Sequence, residues 1–188
     1  MKKDLSEMTL EELWELFPIS LTEHEDKWEE EYQELASDLS EILSGFPIDR
    51  ISHIGSTAIK GIMAKAIVDV LVEMPKAADL KEAAEKLAEK GFLIMSQKGD
   101  RVSLNRGYTR DGFADRVCHV HLRHTGDNDE LYFRDYLNDH PQVAKAYEEL
   151  KLDLWKKYEH DRDAYTAAKT DFVRKWTEEA RREYGARY

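Results

Sequence analysis

The stretch HIGSTAIKGIMAKAIVDVLVE, residues 53 to 73, sets a Gly-Ser-Thr triplet about a dozen residues ahead of an acid that sits in an apolar run. The acid is Asp69, and a charge in a buried strand costs several kcal/mol unless it is paired, hydrogen-bonded or bound to a metal. Strand alternation places Asp69, Leu71 and Glu73 on one face and Val68, Val70 and Val72 on the other. Two acids spaced two residues apart are a common way to hold Mg²⁺, whose oxygen ligands lie at about 2.0 to 2.1 Å. Here the neighbour two along is Leu71, so a second metal-binding carboxylate would have to be Glu73, a further step of about 6.6 Å. Upstream, Gly55 lets the backbone approach a ligand closely and Ser56 adds a hydroxyl donor. Thr57 to Lys60 could open a short helix whose free N–H groups face a phosphate. The plainer alternative is a tight turn with a Ser/Thr cap, followed by a strand acid whose hydrogen bonds are satisfied.

A second polar array lies in RVCHVHLRH, where His119, His121 and Arg123 alternate onto one face and Cys118, Val120 and Leu122 onto the other. Histidine can ligate a metal, donate to phosphate or act as a general base. With Asp69, the two histidines could supply three ligands to a Zn²⁺-like ion and leave a position open. A hydrogen-bonded polar face of a half-exposed sheet accounts equally well for the array taken alone.

The rest of the chain limits what these residues can serve. Its 28 basic and 39 acidic residues give a formal net charge of −11 over 188 residues. Such a field repels polyanions, which argues against duplex nucleic acid as a partner but leaves room for a basic pocket that takes a nucleotide or other small phosphate-bearing ligand. The opening MKKDLSEMTLEELWELF lacks the apolar core of a signal peptide, and no uncharged run approaches the roughly 20 residues of a spanning helix. Cys118 is the sole cysteine, so no internal disulfide is possible, and a cytoplasmic location away from membranes is expected. Nothing in the sequence sets an oligomeric state.

Several elements must position these groups. Residues 9 to 17 read as a short helix capped by Thr9 and Glu12, with Leu10, Leu13, Trp14 and Phe17 on one face. Residues 24 to 43 read as a second helix with Trp28, Tyr32, Leu35, Leu39 and Leu43 inward and acids outward. Strands are expected over 48 to 54, 66 to 74, 92 to 96, 102 to 108 and 116 to 124, with a helix between Pro75 and Lys90 closed by Gly91. After Gly126, three helices over 130 to 139, 141 to 159 and 161 to 184 complete an α+β fold, with Pro141 and Asp161 at helix starts.

The signature HIGSTAIKGIMAKAIVDVLV, followed in order by HVHLR, ELYFRDYLNDHPQVAKAYEELK and YEHDRDAYTAAKTDFV, resembles the GrpB family, a branch of the nucleotidyltransferase superfamily. The resemblance runs over about residues 20 to 176. It implies a nucleotidyltransferase-like mixed β-sheet with helices packed on it and a C-terminal helical tail over 130 to 184. One domain over 21 to 188 would follow an N-terminal helical segment over 1 to 20. It further implies metal-assisted transfer of a nucleotidyl or phosphoryl group, or binding of a nucleotide on the same fold without turnover. Gly55, Ser56 and Thr57 would stand at the phosphate loop and Asp69 at the first metal carboxylate, for Mg²⁺ or Mn²⁺. His119 and His121 would act as base or ligand. Lys65, Arg123, Arg134, Lys151 and Lys169 would face the phosphates. The sequence departs from the family pattern at Lys60 and Ala66, where proline is frequent, and at Leu71, where active nucleotidyltransferases have their second carboxylate.

Overall fold

The computed structural model describes residues 3–188; residues 1 and 2, where the expected N-terminal segment begins, lie outside it. Five strands form one mixed sheet in the order β1-β2-β5-β4-β3. They are β1 (Arg50–Ile54), β2 (Val68–Met74), β3 (Leu93–Lys98), β4 (Arg101–Thr109) and β5 (Gly112–His124). β1 runs antiparallel to β2, β2 runs parallel to β5, and β3, β4 and β5 form an antiparallel meander. The parallel pair needs a long connection, supplied by helix α3 (Leu80–Ala88) and the two strands after it.

The alternation expected for β2 and β5 is what divides the molecule. Val68, Val70, Val72, Cys118, Val120 and Leu122 all enter the main core, where they meet Trp28, Leu35 and Leu39 of α2 (Lys27–Ile42) and Ala83, Ala84 and Leu87 of α3. Each large aliphatic side chain removed from water there contributes about 1.5 to 3 kcal/mol. The opposite face carries Asp69, Glu73, His119, His121 and Arg123. Over it lie α4 (Asp129–Asp139), α5 (Pro141–Tyr158), α6 (Arg162–Ala168) and α7 (Thr170–Tyr184). These helices hold together through their own apolar cluster, in which Tyr132, Phe133, Tyr136, Val143 and Tyr147 pack with Ile59 and Ile62.

Local chemistry explains the element ends. The box at α1 (Leu10–Leu16) forms: Glu12 N–H donates to Thr9 Oγ1 at 3.2 Å and Thr9 N–H donates to Glu12 Oε2 at 2.8 Å. The expected apolar stripe of that helix is only partly used, since Leu10 stays 54% exposed while Phe17 packs on Tyr108 and Phe113. Asp79 caps α3 by accepting from the Lys81 and Glu82 amides.

The sequence reads as one helix over 161 to 184, but the structure breaks it at Lys169. The amide of Lys169 bonds to Thr166 and Ala167 rather than continuing the regular ladder, which tightens the turn and lays its side chain over the Tyr165 ring at 4.4 Å. Among the described residues, no helix is long and apolar enough to cross a membrane.

Candidate functional site

A cleft of about 700 Å³ opens between the polar face of the sheet and helices α4 to α7. Gly55 forms part of its floor with φ +74°, and a Cβ there would lie 2.5 Å from Asp69 Oδ2 and 3.0 Å from Asp69 Cβ. The loop and the acid are therefore in contact, and only glycine permits it. The helix expected to follow is a single 3₁₀ turn, Ser56–Ala58. Thr57 is committed to holding that turn in place: its Oγ1 donates to the Ile67 carbonyl at 3.2 Å and lies 2.9 Å from His53 Nε2. Stiffness that a proline would have supplied at Lys60 comes from Asn138, which accepts from the Lys60 amide at 3.0 Å and donates to the Ala58 carbonyl at 3.0 Å.

Register brings the acid to the histidines. Asp69 lies opposite His119 in the parallel pair, and Leu71 opposite His121. Asp69 Oδ1 is 3.0 Å from His119 Nδ1 and 3.5 Å from His121 Nε2. Burial works against charge on Asp69, but the hydrogen bonds from His119 and His121 outweigh it and hold the carboxyl far below the usual range. Each imidazole is also held from behind. His119 Nε2 is 2.8 Å from Tyr108 Oη, which accepts from Arg162 Nη2 at 3.0 Å, and His121 Nδ1 is 3.3 Å from Ser103 Oγ.

Three lysines form the facing wall with Arg162. Burial pushes the Lys65 amine down to about 7, with Lys169 and Arg162 adding to the shift and Asp69 opposing it. Burial likewise takes Lys151 to about 7 and Lys169 to about 8. Lys151 is fully buried, donates to the Met63 carbonyl and sits 4.9 Å over the Tyr147 ring. Lys65 lies 5.5 Å over Tyr165, so Tyr165 carries two of the amines on its ring. The Tyr147 phenol, pushed up to about 12 by burial, meets the Ser56 hydroxyl across the cleft.

Of the residues expected from the sequence, Gly55, Ser56, Thr57, Lys65, Asp69, His119, Lys151 and Lys169 line this cleft, and His121 reaches it through Asp69. Three others do not. Glu73, expected as a metal ligand, is wholly buried about 13 Å along the strand, where it pairs with Arg50 at 2.6 Å and accepts from Asn128 at 2.9 Å and from the Gly126 amide at 3.2 Å. Arg123 stays outside the cleft: its Nη1 donates to the Val102 and Leu122 carbonyls, and its Nη2 lies 3.5 Å from His121 Nδ1, behind the imidazole. Arg134 ties α4 to β1 by donating to the His53 carbonyl, and it also bonds Asp135 and the Tyr188 hydroxyl. Sequence reasoning missed Arg162, Tyr108, Ser103 and Asn138. Arg162 directly follows the helix cap Asp161, but nothing local marks it as facing β4.

The sheet order and the helices on its polar face define a nucleotidyltransferase-like fold. A mutant of the Cid1 poly(U) polymerase bound to MgATP matches it with a TM-score of 0.52 over 72% of this chain and 44% of that one, at 15% identity. That likeness concerns the fold alone. The chain belongs to the GrpB family, whose model, described as GrpB protein, matches residues 18–179. It is 36% identical over 164 residues to the glutamate-rich protein GrpB of Alkalihalophilus pseudofirmus, covering 82% of this chain and 91% of that protein. The crystal structure of the conserved protein GrpB from Enterococcus faecalis matches with a TM-score of 0.75 at 26% identity, over 88% of this chain and 99% of that one.

Proposed function

We propose that the cleft binds a nucleotide or other small phosphate-bearing compound and transfers a nucleotidyl or phosphoryl group from it to an acceptor. One observation carries this reading: Lys65, Lys151, Lys169 and Arg162 line the same cavity as Asp69 and the Gly55-Ser56 loop. Burying several cations together is costly without an anion to meet them, and amines held near neutral regain their protons when a phosphate arrives. In such a transfer the acceptor oxygen bonds to phosphorus as the bond to the leaving phosphate oxygen breaks. The cations then neutralise charge spread over the phosphoryl oxygens. The acceptor's proton would pass to His119 or His121 where no ion holds them, and to solvent where one does.

Two ions clamped by carboxylates do not fit these residues, because Leu71 is apolar and Glu73 is spent on Arg50 and Asn128. One divalent ion does fit, with Asp69 as its protein carboxylate and the ligand's phosphates completing the shell. Such an ion would add positive charge at the reacting phosphorus. The same lack of a second carboxylate favours another reading, in which the cleft binds its ligand without turning it over.

A thermal-shift titration with the common nucleoside triphosphates, with and without Mg²⁺ or Mn²⁺, tests both readings beside Asp69→Asn. Transfer is supported if one nucleotide stabilises the wild type only with metal, the substitution abolishes the gain, and product forms from that nucleotide. Stabilisation that needs no metal and survives Asp69→Asn, with no product, supports binding alone. If no nucleotide shifts the midpoint, the reading fails.

A further inference from the structure

The geometry points to a single transition-ion site: Asp69, His119 and His121 together hold a first-row ion of the Mn²⁺ or Zn²⁺ class in preference to Mg²⁺. This deepens the reading above and rests on the same cleft. Each of the three residues offers one ligand atom, and these atoms all lie within 4.8 Å of one another. Ligand atoms bonded at about 2.0 to 2.1 Å around a tetrahedral ion stand about 3.3 Å apart. The Asp69 Oδ1 distances of 3.0 Å to His119 Nδ1 and 3.5 Å to His121 Nε2 bracket that value.

A second observation is independent of the first. A histidine that ligates a metal has its other ring nitrogen held by an outer partner, which fixes the ring and its tautomer. Both imidazoles here have such partners: His119 Nε2 faces the Tyr108 hydroxyl at 2.8 Å, and His121 Nδ1 lies 3.3 Å from Ser103 Oγ and 3.5 Å from Arg123 Nη2. Ligation of His121 through Nε2 has Nδ1–H donate to Ser103 while Arg123 keeps its bonds to the Val102 and Leu122 carbonyls. A hydroxyl can rotate to donate or to accept. Without an ion, the Tyr108 O–H can donate to Nε2 while Nδ1–H bonds Asp69. With an ion, Nε2–H donates to the Tyr108 oxygen and the Nδ1 lone pair turns to the metal. Tyr108 Oη can then accept from both His119 and Arg162, which uses its two lone pairs.

The donor set selects the ion. One carboxylate and two imidazoles suit Zn²⁺ or Mn²⁺, whereas Mg²⁺ prefers an all-oxygen shell with several waters. Asp69 and His119 line the cleft, so the open positions of the ion face the ligand. The neighbouring Lys65, Lys169 and Arg162 repel a bare ion, and a phosphate between them and the metal would offset that repulsion. Ion and phosphate should therefore tighten each other by the same factor.

Equilibrium dialysis of the metal-stripped chain against Mn²⁺, Zn²⁺ and Mg²⁺, each with and without inorganic phosphate, tests the site. The expected result is one Mn²⁺ or Zn²⁺ per chain, tighter with phosphate, and Mg²⁺ held at least about tenfold more weakly. His121→Gln should weaken Mn²⁺ or Zn²⁺ by more than about tenfold, Tyr108→Phe by about tenfold, and His160→Gln, away from the cleft, not at all. Circular dichroism checks the fold of each variant, and the visible spectrum of the Co²⁺-loaded wild type reports nitrogen ligation without any substitution. Equal binding of Mg²⁺ and Mn²⁺ that ignores His121→Gln overturns the inference, as does the absence of bound ion with and without phosphate. Nucleotide binding measured in a chelator separates the two claims. Ion binding without any nucleotide affinity sinks the proposed function and leaves this site standing, and metal-free nucleotide binding beside no ion affinity sinks this site and leaves the cleft as a nucleotide-binding pocket.

Discussion

Asp69 and Glu73 are two carboxylates on the same face of the same strand, yet they have opposite surroundings. Asp69 faces the cleft, where two imidazoles hold it and buried amines stand opposite. Glu73 is sealed from solvent by Arg50, Asn128 and the Gly126 amide. The difference lies in what each neighbouring strand and loop brings to the position. β5 places His119 beside Asp69, while β1 places Arg50 beside Glu73 in register. One acid is thereby left open to a ligand, and the other is spent on holding the sheet to the loop before α4.

The comparison breaks most visibly at Glu73. Removing Glu73 takes the acceptor from the buried Asn128 amide and the Gly126 N–H and the partner from the half-buried Arg50, so Glu73→Ala should lower stability by about 2 to 4 kcal/mol in urea melts. The folded fraction should keep its phosphate affinity. A loss of phosphate affinity in a variant that stays folded would put Glu73 back in the site.

Gly55→Ala comes next. Its Cβ would meet Asp69 Oδ2 at 2.5 Å in a conformation with φ +74°, so a loss of about 1 to 3 kcal/mol is expected. Unlike Glu73→Ala, it should also weaken ligand binding, because the loop must move away from the acid. Calorimetric titration with inorganic phosphate measures that.

The lysine wall sharpens the contrast through pH. Lys65 and Lys151 fall to about 7 and Lys169 to about 8 in the folded chain, against an ordinary value of 10.5. Below about pH 7 both states carry the protons and the cost of burying the charges is fully present. Above it the folded chain releases protons that the unfolded chain keeps until about pH 10. Between those limits the unfolded state binds more protons, so the melting midpoint of the free protein should rise with pH. Phosphate-induced stabilisation should shrink over the same interval as the anion loses its partners. A midpoint that falls from pH 7 to 9 would contradict the buried-amine account.

Lys151→Met is expected to have the smallest effect on stability. Replacing a buried amine by an apolar chain of similar length should leave the unfolding free energy within about 1 kcal/mol or raise it. Phosphate binding should still weaken measurably in the same titration. A large destabilisation would show that the amine's bond to the Met63 carbonyl serves the fold more than the cleft.

Much of this architecture is readable from local pattern. The apolar spacing in residues 24 to 43 forms α2, the alternation of Val68, Val70 and Val72 forms the core face of β2, and the Thr9 and Glu12 box forms at α1. Those signals rest on interactions within a few residues, where helix and strand periods act directly. Gly55, Asp69 and the histidines also stand out, because a glycine before a short helical segment and charges inside an apolar strand are anomalies within their own segments. Arg162 and Tyr108 do not stand out, since an arginine near a helix start and a tyrosine on a strand are ordinary; their meeting across 54 residues makes them part of the site.

Residue type and spacing thus define the α+β class, the inward and outward faces, and Asp69 as a carboxylate in need of a partner. Tertiary packing decides that Asp69 and not Glu73 faces the cleft, and that Arg123 and Arg134 serve the scaffold. It also decides that Lys65, about a hundred residues away in sequence, shares the Tyr165 ring with Lys169. The physical reason is range. Periodicity and capping act over a single turn or strand, whereas the electrostatic surroundings of a side chain are set by strands and helices far off in sequence, whose approach depends on the whole core closing at once.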